Sequence, residues 1–182
     1  LGPGTQNTSN RKRTDVRNVV RFIRRYNYGL GYSLGSLAMT KPSGIITLLT
    51  DFGLSDPFVG IMHGVLLSKK RDFTLIDLTH GIEPQNVRQA AFWIASSYRE
   101  FPEGTVHMVV VDPGVGSTRR PLIAEIDGHY FVAPDNGVLS LVVDEAERVD
   151  VRYLRLWQLE LSKVSNTFHG RDIFSPAAAE LA

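Results

Sequence analysis

The pattern of apolar and polar positions divides the middle of the chain into alternating strand-like and helix-like segments. Three apolar runs rich in β-branched residues have the length and composition of buried strands: Ile45–Leu49, Phe73–Leu78 and Val106–Val111. Between them lie two segments with apolar residues at helical spacing: Phe58, Ile61, Met62, Val65 and Leu66, and then Val87, Ala90, Ala91, Ile94, Ala95 and Tyr98. This order predicts right-handed βαβ units and a three-layer α/β fold with a mostly parallel, Rossmann-like central sheet.

Local turn and capping residues extend this prediction to the rest of the chain. Asp56, directly before Pro57, predicts the N-cap of the first helix. Asp127 and Gly128 separate two strand-like runs and predict a β-hairpin. The remaining elements are predicted as hairpin strands over Pro121–Ile126 and Tyr130–Ala133, a helix over Val138–Val143, a strand over Val149–Leu154 and an Ala-rich helix after Phe174. That last helix reaches Ala182 without a capping signal, which predicts a domain truncated at its C-terminal end.

Composition limits the class of protein. The 182 residues, 43% of them hydrophobic and 21% charged, are typical of one globular domain with a sizeable core. The absence of cysteine excludes disulfides, thiolate zinc sites and cysteine nucleophiles from this sequence. No apolar run approaches the roughly 18 residues of a membrane helix. These properties predict a soluble, cytoplasmic protein without a membrane partner.

Charge separates the N-terminal segment from the rest. Residues 1–38 hold seven basic side chains and one acidic side chain, and the remainder has a net charge of −5, which argues against a nucleic-acid partner for the folded part. The basic segment is compatible with an organellar transit segment or a nucleic-acid-binding arm. Because the first methionine is Met39, we favour a disordered or non-native extension over residues 1–43 and a folded domain over residues 44–182.

Candidate chemistry lies where the predicted strands end. Asp51, Asp77 and Asp112 lie at strand ends, where carboxylates can bind ribose hydroxyls, hold a metal or act as bases, although aspartate also simply favours turns. The Gly-rich loop after Asp112 lets Arg119 return to that carboxylate, and His169 lies in a polar, glycine-containing turn. An Asp/Arg/His cluster without a serine or cysteine nucleophile favours positioning and polarising a water molecule.

Other interpretations are weaker. Asp77 has a structural alternative, as a cap of the turn before His80. A two-metal hydrolase remains open, but its candidate ligands include no closely spaced pair, so no metal is expected; they are Asp51, Asp112, Asp135 and His169. The glycines around Val115 lack the third glycine and the following helix of a dinucleotide-binding motif.

Several sequence blocks together resemble one family. They are Thr50–Gly53 with Asp56, Asp77–His80, Val111–Arg120, Pro134–Gly137 and Thr167–Phe174. In this order and spacing they resemble the S-adenosyl-L-methionine hydroxide adenosyltransferases, relatives of the fluorinating and chlorinating adenosyl enzymes. The resemblance covers residues 44–182 and implies an N-terminal α/β domain without the family's C-terminal β-barrel-like domain. It implies hydrolysis of S-adenosyl-L-methionine to adenosine and L-methionine by attack of an activated water on the ribose C5′ carbon.

The resemblance also implies a role for individual residues. It assigns a water-activating triad to Asp112, Arg119 and His169. Its implied substrate contacts are Asp51 at the ribose hydroxyls, Asp56 near the methionine end, and Pro113, Gly114, Thr167 and Phe168 around the reacting sugar. It implies no cofactor, since S-adenosyl-L-methionine is the substrate, and a homotrimer for the full-length protein, so that the truncated chain alone is expected to lack part of its pocket. A halogenase of the same superfamily and a non-catalytic adenosyl-ligand binding module are the alternatives.

Overall fold

A six-stranded sheet forms the centre of the computed structural model, which describes residues 40–154 and 164–182. Its strands are β1 (Ile45–Thr50), β2 (Thr74–Thr79), β3 (Val106–Val110), β4 (Pro121–Ile126), β5 (His129–Pro134) and β6 (Val149–Tyr153). Their spatial order is β2-β1-β3-β5-β4-β6. The first four in that order are parallel, whereas β4 runs antiparallel to both β5 and β6. The predicted mostly parallel sheet and hairpin are confirmed, with strand ends within a residue or so of the predicted ones.

Helices cover both faces of the sheet. They are α1 (Phe58–Lys69), α2 (Val87–Ser97) with a 3-10 turn (Tyr98–Glu100), α3 (Ser140–Asp144), and a π-helical turn (Gly170–Phe174) that continues into α4 (Ser175–Leu181). Helices α1 and α4 contact each other and bury one apolar cluster with Leu48 and Met108. Helices α2 and α3 bury a second cluster with Val109 and Phe131 on the opposite face. The predicted three-layer arrangement is therefore confirmed.

Helix α1 departs from the prediction at its start and on its buried face. Asp56 does not cap it: Pro57 occupies the N-cap position, and no side chain accepts a capping hydrogen bond there. The buried side chains include Val59, whereas Phe58 is 41% exposed and Ile61 is 38% exposed. The Phe58 ring packs against the rings of Phe52 and Phe168 and not into the core. For α2 the predicted apolar face is confirmed, and Asn86 caps its start by accepting a hydrogen bond from the Gln89 amide.

The described part of the chain begins with a short segment that packs onto the sheet. The Thr40 amide donates to Glu125 Oε1, 3.1 Å away, and the Ser43 amide donates to the Gly104 carbonyl, 3.0 Å away. The predicted basic extension otherwise falls on residues 1–39, outside the described residues. Among residues 40–154 and 164–182, no helix has the length and apolarity needed to cross a bilayer.

Candidate active site

A cavity of about 320 Å³ opens at the carboxyl ends of β1 and β3. Ligands bind at this edge of a parallel sheet because the loops that follow the strands converge there. Its lining residues are Asp51, Phe52, Phe58, Pro84, Gln85, Val110, Asp112, Val115, Thr167, His169 and Gly170. Four of the predicted site residues, Asp51, Asp112, Thr167 and His169, therefore meet at one cavity although they come from three separate loops.

Asp112 and Arg119 form a largely buried ion pair. Arg119 Nε donates to Asp112 Oδ2 over 2.7 Å, and the Nη2 group of the same guanidinium donates to the same oxygen. The two side chains are only 9% (Arg119) and 6% (Asp112) exposed, so solvent screens the pair weakly. The other carboxylate oxygen, Oδ1, is buried and accepts no hydrogen bond from any described residue. Asp112 lines the cavity, and this acceptor oxygen is thus left without a hydrogen-bond donor from the described residues.

His169 completes the cluster from the segment before the π-helical turn. Its Nδ1 lies 2.5 Å from Arg119 Nη2. Because a guanidinium only donates hydrogen bonds, Nδ1 must accept, and the neutral ring carries its proton on Nε2. Burial lowers the pKa of His169 and the Arg119 charge lowers it further, against the opposing charge of Asp112. The ring is therefore neutral and fixed in one tautomer near pH 7.

Two glycines allow the loop after Asp112 to bring Arg119 back. A Cβ atom on Gly114 would lie 3.1 Å from Arg119 Cγ, so a side chain there would press on the arginine stem. Gly116 has a φ of +76°, and a Cβ atom on it would lie 2.6 Å from the Asn166 carbonyl oxygen. The loop that holds Arg119 thus packs directly against the segment that leads to His169.

Asp51 is held by a loop that the sequence analysis did not identify. Its Oδ2 accepts a hydrogen bond from the Gln85 backbone amide over 2.7 Å. Gln85 has a φ of +66°, a left-handed conformation that costs a non-glycine residue on the order of 1 kcal/mol. Such conformations depend on tertiary contacts and leave no pattern in the sequence.

Phe52 and Phe58 form the apolar side of the cavity, and Phe168, predicted as a site residue, packs against both without lining it. Phe168 packs edge-on against Phe52 at a centroid distance of 5.9 Å and against Phe58 at 5.1 Å. Gly170 makes this approach possible, since a Cβ atom there would lie 3.0 Å from Met62 Sδ and 3.1 Å from a Phe52 ring carbon. The cavity therefore combines an ionic cluster with an aromatic surface, the usual combination for a small-molecule site.

Other predicted residues lie apart from the cavity lining. Asp56 is exposed on the loop before α1, and neither Pro113 nor Gly114 lines the cavity. Arg119 reaches the site only through its bonds to Asp112 and His169.

Asp77 does not line the cavity, and its carboxylate contacts two histidine side chains, whereas Thr79 Oγ1 accepts a hydrogen bond from the Gly81 amide in the turn that follows. It lies within β2 and accepts from His63 Nε2 over 2.8 Å, and its Oδ1 is 3.1 Å from His80 Nε2. Burial opposes ionisation of Asp77, but hydrogen bonds from His80 and His63 hold its pKa below the usual value. His80 in turn bonds Thr50 Oγ1 over 2.8 Å and is buried.

The two-metal interpretation receives no support from the geometry of the described residues. Among them, no group of three or more histidine, aspartate or glutamate side chains is arranged to hold a metal ion. Asp135, one of the candidate ligands, instead lies 3.9 Å from the guanidinium of Arg120.

Comparison with known proteins places the chain in a family. A model of the SAM hydroxide adenosyltransferase N-terminal domain matches residues 46–182. The chain belongs to this family. It is 39% identical over 142 residues to the (R)-S-adenosyl-L-methionine hydrolase of Methanocaldococcus jannaschii, covering 75% of this chain and 52% of the relative. A fluorinase of Actinopolyspora mzabensis is 28% identical over 161 residues, covering 76% of this chain and 54% of the relative.

A solved structure from the same comparisons supports the fold of this family member. An uncharacterized conserved protein from Thermotoga maritima matches it with a TM-score of 0.72 and 42% identity, covering 75% of this chain and 52% of that protein. The chain spans about half the length of the curated relatives it matches. The α/β architecture and the family are thus established for this domain.

Proposed function

We propose that this family member hydrolyses S-adenosyl-L-methionine to adenosine and L-methionine. The observation that carries the proposal is the buried Asp112–Arg119–His169 cluster beside a cavity, with one carboxylate oxygen left without a hydrogen-bond donor. The hydrolases among its relatives support the same reaction.

The chemistry of the substrate matches what this cluster can supply. Attack of a water oxygen on the ribose C5′ carbon breaks the bond to sulfur, and methionine leaves as a neutral thioether that keeps the bonding electron pair. A sulfonium leaving group needs no protonation. The enzyme must therefore act on the nucleophile: it must align the water molecule and accept one of its protons. Asp112 Oδ1 is the acceptor proposed for that proton.

The tautomer of His169 sets its proposed part in the reaction. Since Nδ1 accepts from Arg119, the ring can offer only its Nε2 proton. We therefore assign His169 to hydrogen-bond donation toward the attacking oxygen, and not to removal of its proton. As the proton moves to Asp112, the Arg119 charge stabilises the hydroxide-like character of that oxygen.

Substrate contacts follow from the loops around the cavity. Asp51, fixed by the Gln85 amide, is proposed to bind the ribose hydroxyls. The remaining proposed contacts with the sugar and the methionine end are Asp56, Pro113, Gly114, Thr167 and Phe168. No cofactor enters this scheme, because S-adenosyl-L-methionine itself brings the leaving group.

A halogenase is the less favoured alternative. A halide ion would have to approach the cavity beside the buried Asp112 carboxylate, which disfavours a second negative charge, whereas a neutral water gains an acceptor there. A complete Asp/Arg/His cluster thus favours water as the nucleophile.

The proposal includes a homotrimer in the cytoplasm, with the cavity completed by another part of the assembly. Phe58, which lines the cavity, is 41% exposed, and Leu54, on the loop that leads to Phe58, is 78% exposed; such apolar surface supports contact with another part of the assembly. Native mass measurement and cell fractionation of the tagged native protein test this part separately.

The reaction is tested by incubating the native protein with S-adenosyl-L-methionine in oxygen-18 water, with and without chloride and a chelator. We expect adenosine with the label in its 5′-hydroxyl, L-methionine in equal amount, and no effect of the chelator. Formation of only 5′-chloro-5′-deoxyadenosine would show a halogenase. Ligand binding without turnover would show a binding module, and loss of activity with the chelator would revive the metal interpretation.

A further inference from the structure

Asp172 is a buried carboxylate that the proposed reaction does not use. It lies in the π-helical turn, three residues after His169, and its side chain is 9% exposed. A π-helical turn inserts one extra residue into a helix and is frequent at functional sites. The hydrogen-bond partners of Asp172 show which segment of the chain this turn holds in place.

Hydrogen bonds close the segment before His169 around Asp172. Its Oδ2 accepts from the Ser165 amide over 2.8 Å, and its own amide donates to the Phe168 carbonyl over 3.1 Å. Ser165 Oγ accepts from the Phe168 amide over 2.9 Å. The backbone on the N-terminal side of His169 is thereby tied to the turn on its C-terminal side.

Arg171 holds the Asp172 carboxylate in its ionised form. Its Nε donates to Oδ1 over 2.6 Å and its Nη2 to Oδ2 over 3.0 Å, a bidentate pair. These hydrogen bonds lower the pKa of Asp172 to about 2, against the opposing effect of burial. The same guanidinium lies 5.1 Å from the centroid of the Phe168 ring. The pair therefore supports both Phe168 and the segment leading to His169.

We propose that Asp172 is a positioning residue for the reaction, which acts by holding the Ser165–Phe168 segment so that His169 Nδ1 stays on Arg119. This inference rests on the proposed function. Asp172 does not line the cavity, and its hydrogen bonds go to the segment that leads to His169, whose pKa the Asp172 charge also raises.

The chain offers a graded pair of variants and a matched control. Asp172→Ala removes the hydrogen bond with the Ser165 amide and the ion pair with Arg171. Asp172→Asn loses the ion pair but keeps an oxygen that can accept from the Ser165 amide. Asp150 forms an equivalent bidentate pair with Arg152, at 2.8 Å and 2.8 Å, on the edge strand β6. Asp150→Ala therefore removes the same chemistry from a position remote from the cavity.

The deciding measurement is a double-mutant cycle in the native protein. We expect Asp172→Ala to lower kcat by about 10- to 100-fold with a change in KM below about 3-fold, and Asp172→Asn to lose less. In the His169→Ala background the same change should lower kcat by less than about 2-fold, because the residue it positions is gone. Asp150→Ala should leave both constants unchanged. Equal losses in both backgrounds would overturn the proposal.

A second readout needs no turnover. Imidazole nitrogen NMR should show His169 with Nδ1 as an acceptor and Nε2 protonated, and Asp172→Ala should abolish that pattern and speed exchange of the Phe168 amide proton. If the native protein makes no adenosine, the proposed function fails, and these spectra still decide the positioning role. An unchanged His169 spectrum in both Asp172 variants would refute it.

Discussion

Two histidine clusters, one at the carboxyl edge of the sheet and one packed with Phe131 inside it, contrast a proposed reactive group with a structural one. In the first, His169 joins Arg119 and Asp112 beside the cavity. In the second, Thr47 Oγ1 lies 2.8 Å from His107 Nδ1, and His107 Nε2 lies 3.2 Å from His129 Nδ1. His107 is on β3, five residues before Asp112 and thus on the order of 16 Å from it along the strand direction.

The difference between the clusters lies in the charge of their partners. Each nitrogen of His107 has a neutral partner, and Phe131 stacks on its ring at 5.0 Å between centroids. The nearby Tyr98 hydroxyl lacks a partner among the described residues, but it is neutral and does not line the cavity. The His169 cluster instead contains an ion pair and a buried carboxylate oxygen that accepts no hydrogen bond from the described residues. Burial lowers the pKa of both histidines, so a shifted pKa alone does not distinguish the proposed reactive histidine from the structural one.

The largest expected effect concerns the pH dependence of stability in the second cluster. Burial, together with its neighbour His129, lowers the pKa of His107 to about 3. Between pH 6.5 and 3 the unfolded chain binds a proton that the folded protein excludes, so the free energy of unfolding falls by up to about 5 kcal/mol as the pH drops through this window. Urea unfolding at a series of pH values measures this. A His107→Gln variant with an equally steep profile would contradict the assignment.

Removing the cation of the first cluster should have the next largest effect. Arg119→Ala leaves Asp112 buried without its partner and should lower kcat about 10³-fold. Arg120→Ala is the matched control, since the guanidinium of Arg120 lies over the Tyr153 ring, 3.3 Å from its centroid, outside the cavity lining. Steady-state assays of adenosine release compare the two. Full turnover with Arg119→Ala would remove the triad from the mechanism.

Replacing each histidine by alanine tests the contrast between the two clusters directly. His169→Ala should lower kcat about 10²-fold with a small change in stability. His107→Ala should lower the free energy of unfolding by about 3 kcal/mol and leave kcat of the folded fraction nearly unchanged. Urea denaturation and kinetics on both variants give the comparison. A loss of kcat in His107→Ala without a loss of stability would mean that the second cluster takes part in the reaction.

The smallest effect concerns the loop that joins the first cluster. Gly116→Ala combines a positive φ with the approach to the Asn166 carbonyl, and should cost about 2 kcal/mol of stability together with some activity. Gly53 has a comparable φ of +66° but nothing within 4 Å of the position of a Cβ atom. Gly53→Ala should therefore cost about 1 kcal/mol, for backbone strain alone. Equal costs in thermal unfolding would show that the contact with Asn166 is not tight.

The sequence predicted the parts of the molecule that depend on local pattern. Apolar runs between turn residues located the strands, and the seven-residue spacing from Asp112 to Arg119 predicted their contact, which the structure contains. The prediction that Asp56 caps α1 was wrong, because Pro57 occupies the N-cap position and no side chain accepts a hydrogen bond there. The positive φ of Gln85 and the ring of bonds around Asp172 depend on contacts between distant segments, which neither spacing nor hydrophobic period reveals.

The position of His169 in the chain has a consequence for biosynthesis. Fifty residues separate it from Arg119, and β4, β5, α3 and β6 are made in between. Helix α4, which follows His169 after the π-helical turn, covers the face of β3 that contains Met108. A nascent chain released by the ribosome only as far as β6 therefore has Asp112 and Arg119 but lacks His169 and the part of the core that α4 covers. Such a chain lacks one member of the proposed triad and leaves part of the apolar cluster around Met108 uncovered, so both are completed only after α4 has been made.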